Sequence, residues 1–281
     1  MKTSNKLLIA LAISLIIIPI IVIAVNVKMN YKNEKAFYKN LKGNKELESP
    51  LDGYTKKELP QFSAVNLNDG NDAYVNFVVI KSDKSGIKIP TDLMEIYDVN
   101  VDNNGILQFA LKNAGKKMKY SLTVYIYSNN VKAFDIAKAA GFTLDIKTDS
   151  VNINAKDVKR LNFQELTDIN YLKIITNKVG DLRFDNAKNG IVNVELNNSN
   201  FSTLKSPFQS LTINSTGQSN IEISGDVREK ARYEIDELSI KTTGKTELIV
   251  EDIQVHKSSG SLSDSTKVNA SASIIKSMFN K

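Results

Sequence analysis

Hydrophobic and polar residues alternate in short segments that recur about every ten residues between Phe142 and Ile223. Because successive side chains of a β-strand point to opposite faces, each segment predicts a strand with one buried and one polar face. Turn-forming Asn, Asp, Ser and Gly residues separate the segments. The region is therefore predicted to be a stack of short strands. Its apolar positions are Phe142, Leu144 and Ile146; Val151 and Ile153; Leu161 and Phe163; Leu172 and Ile174; Leu182 and Phe184; Val192, Val194 and Leu196; Leu211 and Ile213; and Ile221 and Ile223.

The sequence before this series predicts further strands, among them Tyr74 to Ile80 and Leu122 to Tyr127. Two alternating runs, Met94 to Val101 and Ile106 to Leu111, are joined by Asp-Asn-Asn-Gly. Asn and Asp before Gly tolerate positive φ, so these two runs are predicted to form a hairpin.

The predicted fold class is all-β: a right-handed β-helix or solenoid of short strands, with a transmembrane helix at the N-terminus. An antiparallel β-sandwich is the alternative, because it also spaces strands by about 8 to 12 residues. Hairpin signals are concentrated before residue 110. The later separators are longer and rich in Asn, as in Asn197 to Asn200, and this favours the solenoid.

The segment from Leu7 to Val25 contains no charged residue, and Ser14 is its only polar side chain. A helix of this length roughly covers the hydrocarbon core of a bilayer. The alternative is a cleaved signal peptide, but the apolar region exceeds the usual length of about 7 to 15 residues. We therefore predict a membrane anchor, with apolar residues that include Leu7, Leu8, Ile16, Ile17, Ile18 and Val25.

The positive charge of the chain lies in its N-terminal segment. Residues 1–42 carry seven lysines and one acid, Glu34, which gives this segment a net charge of +6. The net charge of the whole chain is the same. The remaining residues are balanced, which argues against nucleic acid as a partner. Lysines flank the apolar segment on both sides, so a count of charges alone would leave the large domain in the cytoplasm. We instead predict export, with the domain in the periplasm or outside the cell, because a large domain after one N-terminal segment is usually exported.

Four regions follow from these observations: an anchor (1–27), a basic juxtamembrane stalk and linker (28–60), a β-solenoid domain (61–257), and a Ser-rich tail with a C-terminal cap (258–281). In the stalk, Lys28, Lys32, Lys35, Lys39 and Lys42 share one helical face. This face could be solvated or could lie against anionic headgroups.

Two runs of the domain, LPQFSAVNLNDGNDAYVNFVVI and IYDVNVDNNGILQFAL, precede the ladder of short strands. In pattern and order they resemble the putative auto-transporter adhesin family, head GIN domain, over roughly residues 58–225. The resemblance implies a bacterial extracytoplasmic β-helix behind a signal or anchor sequence. The family usually has Gly-Ser-Gly turns between its strands, whereas this chain has Asn-rich ones, and the resemblance supplies no catalytic residues.

Few residues of the sequence indicate catalytic chemistry. The chain has no cysteine and a single histidine, His256, so neither a thiolate site nor a cluster of imidazoles can form. No nucleophile elbow, phosphate-binding loop or dinucleotide fingerprint occurs. We therefore predict no cofactor and no metal, and we interpret His256 as a surface residue.

The strongest catalytic candidates are Asp145, Glu165 and Asp185, which are spaced by twenty residues. If two ten-residue strands form one repeat, these acids would stack about 4.8 Å apart on an outward face. Such carboxylates could act as acid and base in a carbohydrate-active β-helix. The alternative is an ordinary solvated strand face.

The function predicted from the sequence is a non-catalytic, membrane-anchored extracytoplasmic module for adhesin-like binding or scaffolding. Its partner would be an envelope protein or a glycan. A carbohydrate-active enzyme that uses the stacked carboxylates is the alternative.

Overall fold

The computed structural model describes residues 15, 17–24, 46–113, 115–116, 121–229 and 233–279. The chain divides into two compact units, Met1–Lys45 and Glu46–Lys281. The second unit contains the strands and the candidate sites.

The first unit contains the predicted membrane anchor. Ile17 and Ile18 lie in its described helical residues, and both are exposed. No helix among the residues described here is long and apolar enough to cross a bilayer. The anchor therefore stays a prediction. The five lysines of the basic stalk lie outside the described part of the chain, so the stalk also stays a prediction. The other named anchor residues lie outside the described part of the chain: Leu7, Leu8, Ile16 and Val25.

The described residues of the second unit form twenty-one strands, a 3-10 helix (Thr91–Glu95) and an α-helix, α1 (Ala272–Phe279). The strands are β1 (Tyr54–Glu58), β2 (Ala64–Leu67), β3 (Tyr74–Ile80), β4 (Gly86–Pro90), β5 (Tyr97–Val101), β6 (Ile106–Leu111), β7 (Leu122–Tyr127), β8 (Ala133–Ala137), β9 (Gly141–Asp145), β10 (Lys147–Lys156), β11 (Leu161–Phe163), β12 (Asp168–Asn177), β13 (Leu182–Asp185), β14 (Lys188–Asn197), β15 (Phe201–Leu204), β16 (Phe208–Thr216), β17 (Ser219–Ser224), β18 (Glu234–Thr242), β19 (Thr246–Glu251), β20 (Gln254–Ser261) and β21 (Lys267–Ala270).

The strands form two large mixed sheets. The eleven-stranded sheet has the order β1-β4-β7-β3-β9-β11-β13-β15-β17-β19-β21, and the ten-stranded sheet has the order β20-β18-β16-β14-β12-β10-β8-β2-β6-β5. From β8 onward, consecutive strands alternate between the sheets, and each pairs in parallel with the strand two positions later. Among the described residues, antiparallel pairing is confined to β1–β4, β4–β7 and β5–β6. The architecture is all-β, as predicted, but it is not the alternative antiparallel sandwich.

The strand register repeats after about twenty residues. Leu172 lies opposite Val192, and Val192 lies opposite Leu211. The next step, from Leu211 to Leu238, is longer and spans 27 residues. Two strands, one in each sheet, therefore make up each repeat, which is the condition on which the predicted stacking of the three acids depended.

The inward side chains of both sheets form one hydrophobic core. The predicted inward positions, such as Leu172 and Val192, are fully buried. Phenylalanines stack within this core: the rings of Phe163 and Phe184 are 4.7 Å apart and nearly parallel. Phe208 meets Phe184 edge-on at 5.5 Å. Each strand thus buries its apolar face in this core, as the alternation of apolar and polar residues predicts.

The alternation of inward and outward residues is interrupted near the N-terminal ends of the long strands in the ten-stranded sheet. In β12 two consecutive residues, Asn170 and Tyr171, are exposed, and the buried Leu172 follows. Side chains at this position contact the neighbouring strand, and the Asn170 amide donates a hydrogen bond to Asp149 Oδ1 at 3.0 Å. Gly190 occupies this position in β14, where a Cβ atom would lie 2.4 Å from the Asn170 carbonyl oxygen. Only glycine allows that close backbone approach.

The opposite ends of these strands turn through left-handed backbone conformations. Asp157, Lys178, Asn198 and Gly217 follow four successive strands and have φ values between 48° and 78°. The amides of the first three continue the hydrogen bonding between strands, as where Asn198 N–H donates to the Thr216 carbonyl at 3.1 Å. Asn, Asp and Gly tolerate this conformation, which explains the turn-forming residues in the sequence. Lysine carries no such preference, yet Lys138, Lys178 and Lys205 also have positive φ after a strand.

The two ends of the stack differ from its middle. At the N-terminal end, β5 and β6 form the predicted hairpin, with Gly105 at φ +70°. At the other end, α1 packs against β20 through the buried side chains of Ile274 and Met278. Strand pairing continues through Ser261, past the start of the predicted Ser-rich tail at residue 258.

Candidate functional site

The three acids that the sequence spaces by twenty residues occupy different environments. Asp145 ends β9 and is only 6% exposed, whereas Glu165 is exposed in the turn after β11. Asp185 ends β13, where its Oδ2 atom lies 3.6 Å from an Arg183 guanidinium nitrogen. The register advances by 19 residues from Phe142 to Leu161. Continued along both strands, this register places Gln164, and not Glu165, beside Asp145.

Asp145 is a buried acid rather than an accessible one. Burial raises the pKa of its carboxyl to about 6, and a hydrogen bond from the Asn76 side chain opposes that shift. Its Oδ1 atom has no hydrogen-bond partner among the described residues. Glycosidase carboxylates need a substrate between them. This geometry gives the carbohydrate-active alternative no support.

The outward face of β12 and β14 exposes three large apolar side chains. Tyr171 and Ile191 lie opposite each other on these two strands and are each 41% exposed. Ile175, further along β12, is 38% exposed. Such a face is unusual because outward strand positions are normally polar in a sheet with one solvated side.

Polar groups are interleaved with these apolar side chains. The Asn193 amide donates a hydrogen bond to the Tyr171 hydroxyl at 3.1 Å. Lys173 Nζ and Glu195 Oε1 form an ion pair at 3.1 Å, and both side chains remain about half exposed. We call the six residues of this surface the β12–β14 patch: Tyr171, Lys173, Ile175, Ile191, Asn193 and Glu195.

A shallow cavity of about 320 Å³ adjoins the β12–β14 patch at Ile175. Polar side chains at the C-terminal ends of β2, β8, β10 and β12 line it, including those of Asn68, Asp135 and Asn154. The Asn154 amide donates to Asp135 Oδ1 at 2.7 Å, which fixes two of these groups. A flat apolar patch beside a cavity with fixed polar groups can bind a ligand through both packing and hydrogen bonds.

A second shallow cavity, of about 330 Å³, lies on the eleven-stranded sheet. Arg160, Arg183, Asp181 and Asp185 line it together with Asn162 and Gln164. The Ser202 hydroxyl donates to Asp181 Oδ1 at 2.8 Å, so this surface is also hydrogen-bonded between repeats. It contains Asp185, the one predicted acid that faces a cavity described here.

The sequence reasoning did not identify the β12–β14 patch. A signal was present, because Tyr171, Ile175 and Ile191 each adjoin a residue that was correctly assigned to the core. In a strand with strict alternation such neighbours should be polar. Apolar residues at outward positions of these strands would therefore have indicated this surface.

Comparisons with known proteins agree with the fold. The family model described as "Putative auto-transporter adhesin, head GIN domain" matches residues 61–234. No curated protein matches the chain.

Solved structures provide the second comparison. A putative adhesin from Parabacteroides distasonis is 14% identical, with a TM-score of 0.50, and the match covers 77% of this chain and 94% of the other. A putative adhesin from Bacteroides fragilis is 15% identical, with a TM-score of 0.47 and coverages of 76% and 93%. A putative lipid binding protein from P. distasonis is 13% identical, with a TM-score of 0.38 and coverages of 77% and 95%. At these identities the likeness concerns the fold alone.

Proposed function

The chain belongs to the family described as "Putative auto-transporter adhesin, head GIN domain", and on that premise we propose that it is a non-catalytic binding module. In this proposal the β12–β14 patch carries the contacts, and the partner lies outside the cytoplasm. The observation that supports this proposal is the exposure of Tyr171, Ile175 and Ile191 on an otherwise polar sheet. Large apolar groups exposed together on a rigid surface are characteristic of interaction sites.

We further propose that the stack of strands is a right-handed β-solenoid. The parallel pairing of each strand with the strand two positions later supports this architecture. Connections between parallel strands of one sheet are right-handed in about 98% of cases. A solenoid would hold outward side chains of successive repeats at regular spacing and so present a long, rigid face.

The proposed partner is a glycan. The ring of Tyr171 offers an apolar surface with a polar tip, which suits the mixed character of a sugar face. Asn193, Lys173 and Glu195 supply donors and acceptors beside it. Residues 43–281 carry equal numbers of basic and acidic residues, so recognition would depend on packing and hydrogen bonds rather than on net charge.

A Tyr171→Ala variant tests this assignment. We expect at least about a tenfold loss of affinity for the bound glycan, because truncating a central aromatic residue of a binding surface commonly costs about 2 kcal/mol. The measurement is a glycan array probed with the full-length protein in detergent, followed by titration of the best ligand. Tyr74→Ala is the matched control, because Tyr74 is an exposed tyrosine of the other sheet.

Two results would count against the assignment. Equal loss in both tyrosine variants would indicate a nonspecific effect, and binding that survives Tyr171→Ala unchanged would exclude the β12–β14 patch. If the protein captures a discrete envelope protein and no glycan, the partner is a protein, and the β12–β14 patch is still the proposed binding surface.

The membrane anchor at Leu7 to Val25 is proposed on the sequence alone. A fusion of alkaline phosphatase after Gly53 is expected to be active, because this enzyme needs the oxidising environment outside the cytoplasm for its disulfides. The matched fusion carries a cytoplasmic reporter at the same position and is expected to be inactive. Activity of the cytoplasmic reporter alone would mean that the lysines after the apolar segment determine the orientation, and the domain would then face the cytoplasm.

A further inference from the structure

We infer that Glu234, Asp236 and His256 form a binding site for a divalent transition-metal ion, with Zn²⁺ as the best match. The site lies on β18 and β20, at the end of the ten-stranded sheet that is remote from β5. It is separate from the β12–β14 patch and does not depend on the function proposed above.

The strand register brings the three side chains together. Ile235 lies opposite Val255, and Glu237 lies opposite Lys257, so Asp236 and His256 occupy neighbouring positions. His256 Nε2 is 3.0 Å from Glu234 Oε2. One ligand atom from each of the three residues lies within 4.8 Å of the others. This arrangement is imposed by two paired strands and not by a loop.

The chemistry of the three donors suits zinc. Zn²⁺ binds imidazole nitrogen and carboxylate oxygen at about 2.0 to 2.2 Å, so ligand atoms around one tetrahedral ion lie about 3.3 Å apart. His256 Nε2 and Glu234 Oε2, at 3.0 Å, already lie close to that separation. Three protein ligands leave a coordination position for water or for an external ligand. Ca²⁺ and Mg²⁺ prefer oxygen ligands throughout, so imidazole favours the transition metal.

The surroundings favour a cation. Two carboxylates outweigh the charge of one imidazole, and Lys257, which adjoins His256 in the chain, is paired with Glu237 at 3.3 Å. The side chains of His256 and Glu234 are 44% and 46% exposed, so an ion can enter without disturbing the core. A bound ion would fasten β20 to β18 and so stabilise the last pair of strands in the sheet.

This inference revises the expectation that the chain has no metal site. A single histidine indicates a surface residue when it is considered alone. The carboxylates that complete the site are about one structural repeat earlier in the sequence, so only the register brings them to His256.

The only histidine of the chain provides a direct measurement. Full-length protein labelled with ¹³C at histidine Cε1, purified in detergent without a polyhistidine tag and stripped of metal, has one imidazole signal from the protein itself. Titration with ZnCl₂ is expected to shift that signal and to saturate at one equivalent. Glu234→Gln and Asp236→Asn should each weaken zinc binding at least about tenfold. Glu237→Gln, which removes a neighbouring acid on β18, should change the affinity less than about twofold.

The proposal fails if the imidazole signal does not move with zinc up to 1 mM (about a thousandfold weaker than a micromolar site). It also fails if Glu234→Gln and Asp236→Asn bind zinc as tightly as the wild-type protein, because histidine alone would then account for the binding. Thermal unfolding of each variant without metal distinguishes loss of a ligand from loss of the fold.

Discussion

Replacing Phe184 by alanine is expected to lower the free energy of unfolding by about 3 to 5 kcal/mol, the usual cost of removing a buried aromatic ring. Phe184 is fully buried and stacks on Phe163 at 4.7 Å. It also contacts Phe201 and Phe208, whose ring centroids lie 5.8 and 5.5 Å away. A cavity there would remove contacts from three consecutive repeats, because these phenylalanines come from β11, β13, β15 and β16.

Chemical denaturation of the purified chain checks this expectation. Phe279→Ala is the control, since Phe279 is 54% exposed on α1 and should lose less than about 0.5 kcal/mol. Because 3 to 5 kcal/mol is a large part of the stability of an ordinary domain, Phe184→Leu provides a milder variant that stays folded. A loss below about 1 kcal/mol for Phe184→Ala would mean that these rings are not packed as described.

The second large expected effect is a gain in stability. Asp145→Asn is expected to raise the free energy of unfolding at pH 7.5 by about 3 kcal/mol, relative to its effect at pH 3.5. Burial raises the pKa of Asp145 from 3.8 to about 6, so the folded state holds this proton more tightly than the unfolded state does. The contribution of Asp145 to stability is therefore full below pH 3.8 and is lost as the pH rises through 6. Asparagine carries no charge to bury and avoids that loss.

The measurement is the difference in unfolding free energy between Asp145→Asn and wild type across pH 3.5 to 8, in which the contributions of unchanged groups cancel. The difference should rise between about pH 4 and 6.5 and then level off. Asp185→Asn is the control, because Asp185 is half-exposed and forms an ion pair with Arg183. A difference that is independent of pH would show that Asp145 titrates normally in the folded protein.

The fold followed from the sequence wherever burial alone determines the pattern. β3 and β7 have the predicted bounds, and the hairpin around Gly105 lies where the Asp-Asn-Asn-Gly turn predicts it. Those segments alternate strictly and end at residues with a known backbone preference. The solenoid and the membrane anchor are still proposals.

The candidate sites were less predictable because they depend on register. A fixed spacing of twenty residues aligned Asp145 with Glu165, but the register advances by 19 residues at that step. Outward direction also did not imply exposure, since Asp145 faces outward from the core and is still buried. Asn170 and Tyr171 are two consecutive exposed residues of one strand, which strict alternation does not allow for. These are properties of neighbouring strands, and no single segment encodes them.

The pairing of each strand with the strand two positions later affects how the protein can change over evolution. Between β10 and β17, each repeat makes its backbone hydrogen bonds only with the repeat before it and the repeat after it. Duplication or loss of one such unit would leave every remaining strand with an equivalent neighbour. The longer step from Leu211 to Leu238 shows that a repeat with extra residues still pairs in parallel with the repeat before it. The number of repeats can therefore change by whole units during evolution, while the β5–β6 hairpin and α1 keep their places at the two ends.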